Sequence, residues 1–99
     1  MESELENWKN NGKYLPIGSV VLLNGGKRRV MVAGYKSLTD GEKPNEILEW
    51  DYCGCIFPEG LLSSEQNLLF NHSQIEKIYC IGYFDEEARN FHEALKKIN

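Results

Sequence analysis

Two short apolar segments near the start of the chain are separated by a turn signal. Ser19–Leu23 and Val30–Ala33 are rich in residues that favour strands, and Asn24-Gly25-Gly26 lies between them. Asn-Gly and Gly-Gly steps readily adopt the positive φ angles that a tight hairpin turn needs. The pattern predicts a β-hairpin with strands at about Val20–Leu23 and Arg28–Tyr35.

Three more strands are predicted further along the chain. Apolar and polar residues alternate over Glu49–Phe57, which is typical of a strand with one covered face. A short strand is expected near Leu68–Phe70 and a longer one over Lys77–Tyr83, where Gly82 would relieve crowding. Lys36–Leu48 has little apolar periodicity and two turn signals, so we expect an exposed connection there.

The C-terminal segment predicts a helix that begins at Asp85. Asp is a good N-cap, while Glu86 and Glu87 suit the positive end of the helix dipole. Apolar residues recur at three- and four-residue steps, which predicts one face packed on the sheet. The members of this stripe are Ala88, Phe91, Leu95 and Ile98.

The two ends of the chain differ in character, which sets the expected domain organisation. Residues 1–14 are polar apart from Leu5 and Trp8, and we expect an N-terminal arm or short helix there. Residues 15–99 form a single α+β domain, because 99 residues leave no room for a second core. The fold class is a small, strongly bent antiparallel sheet of four to five strands with a C-terminal helix. An SH3-like, partly open barrel is one arrangement that fits.

Composition restricts the classes of partner. Hydrophobic residues make up 41% of the chain and charged residues 26%, which suits a packed globule, and the formal net charge is −4. An acidic chain repels phosphate backbones, so we expect no nucleic acid as partner. No apolar run has the length of a membrane helix, and we expect no membrane association and a cytoplasmic location.

The Gly-rich turn and the basic residues after it raise two functional hypotheses. Asn24-Gly25-Gly26-Lys27 lacks the second glycine and the Ser/Thr step of a phosphate-binding loop, so we reject that interpretation. Lys27, Arg28 and Arg29 could contact an acidic protein surface. The alternative is a solvated strand start that blocks pairing between edges.

Cys53, Cys55 and Cys80 raise the alternative of a thiol- or metal-dependent enzyme. A third ligand at His72 or His92 could complete a zinc site, but one residue between paired cysteines is poor zinc spacing. Reduced, buried thiols are the favoured interpretation. No catalytic spacing is recognised, so we expect no enzyme, no cofactor and no metal.

Aromatic residues are the remaining candidates for a partner surface. Tyr35, Trp50 and Tyr83 could belong to an exposed patch, since Tyr and Trp are enriched at protein interfaces. Together with Lys27, Arg28 and Arg29 they form the predicted partner-binding set. For the function of the whole chain, a small barrel that binds nucleic acid is a third alternative, beside a protein-binding domain and a thiol- or metal-dependent enzyme.

The order of several short motifs resembles a domain-of-unknown-function family. Its members often lie beside toxins with an N-terminal LXG domain in type VII secretion clusters of Gram-positive bacteria. The resemblance covers about Leu15 to Glu87 and rests on Leu15–Leu23, Gly25-Gly26-Lys27, Val30–Tyr35, Asp51–Cys55, Phe57–Leu61, Phe70-Asn71-His72 and Ile81-Gly82-Tyr83.

This resemblance implies a cytosolic accessory protein rather than an enzyme. Such a protein would bind the LXG toxin or its targeting partners before export, as an adaptor or chaperone. An immunity protein that neutralises the toxin domain is the alternative within the binding class. The resemblance implies no catalytic residues.

Overall fold

A computed structural model describes Trp8 and residues 13–63 and 67–97 of the chain. It contains a five-stranded antiparallel sheet followed by one helix, so the predicted α+β class is confirmed. The strands are β1 (Val20–Leu23), β2 (Arg29–Asp40), β3 (Ile47–Ile56), β4 (Leu68–Phe70) and β5 (Ile75–Cys80). A 3-10 helix at His72–Gln74 precedes β5, and helix α1 covers Glu86–Lys97.

The predicted first hairpin is confirmed. β1 and β2 pair antiparallel with Val21 opposite Val30. Gly25 has a φ of 74°, and the N–H of Gly26 donates to the carbonyl of Leu23 at 2.9 Å. The turn therefore uses the conformational freedom of its glycines.

The segment Lys36–Leu48 is mostly exposed, as predicted, but the prediction of a connection without strands is wrong. β2 continues to Asp40 and β3 begins at Ile47, so this segment is a two-stranded ribbon closed by residues 41–46. The indole N–H of Trp50 donates to the Thr39 hydroxyl at 2.9 Å across the ribbon. The ribbon buries little apolar surface and is stabilised by cross-strand polar pairs. Because neither strand has a buried face here, apolar and polar residues do not alternate in this part of the sequence.

The sheet order is β4-β3-β2-β1-β5, and the sheet curls around one core. Residues 71–74 connect the two edge strands, β4 and β5, and can span roughly 18 Å when fully extended. In a flat sheet of five strands the edge strands would lie about 19 Å apart, which is beyond this reach. All five strands contribute buried side chains to the same cluster. Its members are Leu15, Val21, Val30, Val32, Tyr52, Phe70, Ile75 and Ile78. The edge strands β4 and β5 therefore lie closer together than they would in a flat sheet.

Helix α1 begins where the sequence predicts. The Asp85 carboxylate accepts a hydrogen bond from the N–H of Ala88 at 2.9 Å. The predicted apolar face is only partly buried, because His92 and Leu95 are buried whereas Phe91 is 57% exposed. Ile98, the last member of the predicted stripe, lies outside the described residues.

The predicted N-terminal arm lies outside the described residues except for its last part and Trp8. The Trp8 ring packs edge-on against Phe84 and His92, with ring centroids 5.4 and 5.8 Å apart. Tyr14 and Leu15 are buried. Tyr14, which the prediction assigns to the arm, is therefore buried together with the first residue of the predicted domain.

Candidate functional site

An apolar groove lies between helix α1 and the sheet, with a volume of about 410 Å³. We call it the helix groove. Its sheet side comes from the chain before β1 and from the middle of β2, and its other side from the chain after β5 and from α1. The lining residues are Pro16, Ile17, Gly34, Tyr35, Tyr83, Phe84, Ala88, Phe91, His92 and Leu95.

A hydrogen-bond network around Tyr52 positions the chain that enters the groove. The buried hydroxyl accepts hydrogen bonds from the backbone N–H groups of Tyr14 and Leu15, at 2.8 and 3.0 Å. Burial raises the pKa of Tyr52 above its usual range. The two accepted hydrogen bonds fix Leu15 and therefore the start of the groove at Pro16.

Tyr35 forms the floor of the groove. Its hydroxyl donates to the carbonyl of Leu15 at 2.6 Å, so the polar end of the ring is satisfied inside the fold. Burial raises the pKa of Tyr35 to about 12. The ring itself lies 6.2 Å from the ring of Phe91 on α1, measured between centroids. The groove therefore receives an apolar face from Tyr35.

Close backbone contact at Gly82 places the residues that follow it beside the groove. A Cβ atom on Gly82 would lie 2.0 Å from the carbonyl oxygen of Ile17. The Gly82 N–H donates to the buried Ser19 hydroxyl at 2.9 Å. Glycine at this position lets Tyr83 and Phe84 run beside Ile17, which explains why β5 ends at Cys80 rather than at the predicted Tyr83.

His92 fastens helix α1 to the same segment. Its Nε2 lies 2.6 Å from the carbonyl oxygen of Lys13, so this nitrogen carries a proton and donates it. The imidazole also packs edge-on against Phe84 at 5.9 Å. His92 is thus a docking residue of the fold, and a metal or nucleophilic role would compete with this bond.

The rim of the helix groove is unusually exposed for apolar residues. Ile17 is 50% exposed, Tyr83 is 85% exposed and Phe91 is 57% exposed. Exposed apolar surface around a concave site is typical of a protein-binding surface. The acidic residues Asp85 and Glu87 lie shortly after Tyr83 in the sequence, at the start of α1.

The predicted partner-binding residues lie in three separate places. Tyr35 and Tyr83 lie together at the helix groove. Trp50 is half-buried in the ribbon of β2 and β3, where its indole is already bonded to Thr39. The structure does not bring Trp50 to the groove.

The basic residues lie at the other end of β2. Lys27 is exposed in the turn, Arg28 pairs with the Glu59 carboxylate and lowers its pKa, and Arg29 lies 5.0 Å over the Phe57 ring. Six strand positions separate Arg29 from Tyr35, which is roughly 20 Å. The predicted set is therefore not one contiguous site.

The three cysteines are also dispersed. Cys55 is buried as predicted and Cys53 is partly buried, but Cys80 is exposed at the end of the edge strand β5. The expectation of burial is wrong for Cys80 because an edge strand has one uncovered side. Among residues 13–63 and 67–97, no three His, Cys, Asp or Glu side chains are grouped so that they could hold a metal ion.

Sequence reasoning missed Ile17 and Phe91 as members of the surface. Ile17 follows Pro16 outside any strand and gives no periodic signal. The spacing of Phe91 predicts that it belongs to the buried face of the helix. Spacing alone does not show that the sheet leaves one side of this face uncovered.

Fold and groove define a small α+β protein with an open antiparallel sheet and an apolar surface groove. The chain belongs to the family described as a domain of unknown function (DUF4176), whose profile matches residues 14–91. The predicted membership of a family without known function is confirmed. No curated protein and no solved structure is significantly similar to the chain. None of the helices in the described residues is long and apolar enough to cross a membrane.

Proposed function

We propose that this protein is a non-enzymatic adaptor or chaperone that binds a type VII secreted LXG toxin, or its targeting partners, in the cytoplasm before export. The helix groove is the observation that supports a binding function. It combines a cavity of about 410 Å³ with the exposed rim residues Ile17, Tyr83 and Phe91. The link to LXG toxins rests on the motif resemblance of the sequence.

The groove is a better binding surface than either edge of the sheet. β4 has three residues, Leu68–Phe70, which is short for pairing with a partner strand. β5 carries Lys77 and shows two register shifts against β1, and both features discourage strand addition. Groove packing is therefore the mode that we propose.

The curled sheet supports the finer fold proposal as well. Its edge strands β4 and β5 are joined by residues 71–74, and the N–H of Asn24 at the end of β1 donates to the carbonyl of Gln74 at 2.8 Å. We propose that the sheet is an SH3-like, partly open barrel with α1 across one end.

Co-expression with the neighbouring toxin cluster tests the function. The LXG half and the toxin half would carry different tags, and the protein would be recovered through each tag in turn. Recovery with the LXG half supports an export adaptor, and recovery with the small targeting partners supports the same function. Recovery with the toxin half alone, together with protection of cells from the toxin, would replace it with an immunity function. Recovery with no component would contradict the proposal.

A further inference from the structure

The rim of the helix groove carries two largely exposed aromatic rings. Tyr83 is 85% exposed and Phe91 is 57% exposed, although both line the cavity. A small molecule within the cavity would leave the outer faces of these rings in water. An occupant that covers the rim as well must be a macromolecule that inserts apolar side chains into the cavity.

Backbone pairing beside the groove covers both sides of β2 as far as Val32. Gly34 pairs with Cys53 on β3. On the other side of β2, the Val32 N–H donates to the Ser19 carbonyl at 2.8 Å, and the Val32 carbonyl accepts from the Gly18 N–H at 2.9 Å. The lining residues that belong to β2 are Gly34 and Tyr35, which is too short a run for an extended partner segment to pair with.

Buried side chains offer no substitute for such pairing. The Tyr35 hydroxyl is bonded to Leu15, and every buried side-chain nitrogen or oxygen of the described residues has a hydrogen-bond partner. A partner segment that fills the groove must therefore satisfy most of its backbone groups itself. An α-helix does this, because its N–H and C=O groups bond within the helix.

One end of the groove is acidic. Asp85, Glu86 and Glu87 are exposed at the start of α1, between the lining residues Phe84 and Ala88. Glu87 precedes Phe91 by four residues, so both side chains lie on the same side of the helix. Arg89 is the basic residue of this turn, and its guanidinium lies 5.8 Å over the Phe84 ring. The three carboxylates outnumber it and favour a partner with positive charge there.

We propose that the helix groove holds an amphipathic helix of the partner, with large apolar side chains in the groove and a Lys or Arg beside the acidic start of α1. This inference rests on the proposed function, since it specifies the partner of the same groove.

Site-specific photocrosslinking tests the inference on the full chain. The photoreactive residue p-benzoyl-L-phenylalanine would replace Tyr83 in one variant and Tyr79 in another, in cells that co-express the toxin cluster. Tyr79 is the matched control, because it is an aromatic residue of 42% exposure on the edge strand β5. Mass spectrometry would identify the crosslinked partner segment.

The expected result is a crosslink from Tyr83 to a segment whose apolar residues recur at three- and four-residue steps, with a basic residue within one turn of them. A synthetic peptide of that segment should gain helical circular dichroism on binding. Its affinity should fall by at least about threefold in the double variant Glu86→Gln/Glu87→Gln at low salt. The charge-matched control Asp40→Asn/Glu42→Gln changes two exposed carboxylates at the far end of the ribbon of β2 and β3 and should leave the affinity unchanged.

Two other results distinguish failure of the inference from failure of the function. If the complex is recovered but crosslinks arise from Tyr79 alone, or from Tyr83 to a segment without helical periodicity, the helix-in-groove inference is overturned and the adaptor function stands. If no component of the cluster is recovered, the proposed function and the inference both fail.

Discussion

The hydroxyl group of Tyr52 donates its proton to Nδ1 of His72 across a distance of 2.7 Å. Both lone pairs of this oxygen are occupied, because the N–H groups of Tyr14 and Leu15 donate to it. The hydroxyl proton is therefore the only one available for His72, whose Nδ1 must act as acceptor. One buried hydroxyl thus joins the segment before β1 to the turn between β4 and β5.

Removal of this hydroxyl should destabilise the fold. In Tyr52→Phe the N–H groups of Tyr14 and Leu15 lose their acceptor inside the protein, and we expect a loss of about 2–4 kcal/mol in the free energy of unfolding. Urea denaturation measures this loss. Tyr83→Phe is the matched control, because Tyr83 is 85% exposed and should change stability by less than about 0.5 kcal/mol. Equal stability of the two variants would contradict the network.

Buried tyrosines predict how stability depends on alkaline pH. Burial raises the pKa of Tyr35 from 10.0 to about 12 and also raises that of Tyr52. At a pH between the ordinary pKa of tyrosine and the raised pKa in the folded protein, the unfolded chain releases protons that the folded protein retains. The free energy of unfolding should therefore be at its full value below pH 10 and should fall as the pH rises from about 10 to 12.

Tyr35→Phe isolates one of these contributions. The variant lacks the Tyr35 proton, so its stability should decline less steeply than that of the wild type over the same pH range. Urea denaturation at closely spaced pH values checks the two slopes. Identical slopes would show that Tyr35 is not the origin of the decline.

Gly82→Ala should disturb the rim of the groove. The new Cβ would lie 2.0 Å from the carbonyl oxygen of Ile17, and a backbone atom cannot move aside without shifting the chain. We expect a loss of about 1–3 kcal/mol in the free energy of unfolding. Changes in amide chemical shifts should centre on Ile17 and Tyr83.

The control for this substitution is Gly41→Ala. There the three atoms nearest to the new Cβ belong to the side chain of Glu46, which can turn away, and the expected loss is below about 0.5 kcal/mol. If Gly82→Ala is tolerated as well as Gly41→Ala, the close approach of Gly82 to Ile17 is not present in solution.

His92→Phe should loosen helix α1. Phenylalanine keeps an aromatic ring beside Phe84 but cannot donate to the Lys13 carbonyl, and we expect a loss of about 1 kcal/mol in stability. Hydrogen exchange should accelerate for amides of α1. Glu93→Gln changes the next, exposed position and serves as the control. Unchanged exchange in His92→Phe would argue against a docking role for His92.

The sequence predicts those parts of the fold whose signals are local. The Asn-Gly-Gly step specifies the first hairpin, alternation specifies most of β3, and the Asp85 cap specifies the start of α1. The ribbon formed by β2 and β3 was missed, because it is held by pairs such as Trp50 with Thr39 rather than by a buried face. A cross-strand hydrogen bond leaves no periodic pattern in either strand.

The candidate site is less predictable than the fold. Tyr35 and Tyr83 were identified as aromatic candidates, and both line the helix groove. Phe91 and Leu95 belong to the same helical stripe in the sequence. Phe91 is exposed and Leu95 is buried because of the way α1 is placed on the sheet. Tertiary placement of this kind depends on distant contacts such as that of His92 with Lys13.

The most direct test of the central claim is the affinity of the recovered partner for a groove variant. In Tyr83→Ala/Phe91→Ala two rim side chains of the helix groove are removed, and isothermal titration calorimetry should show at least a tenfold loss of affinity. The control Leu38→Ala/Tyr79→Ala removes one aliphatic and one aromatic residue that are also exposed but lie away from the groove. Wild-type affinity in the control, with weakened binding in the groove variant, is the predicted result. Equal affinities in the two variants would contradict the claim that the helix groove binds the partner.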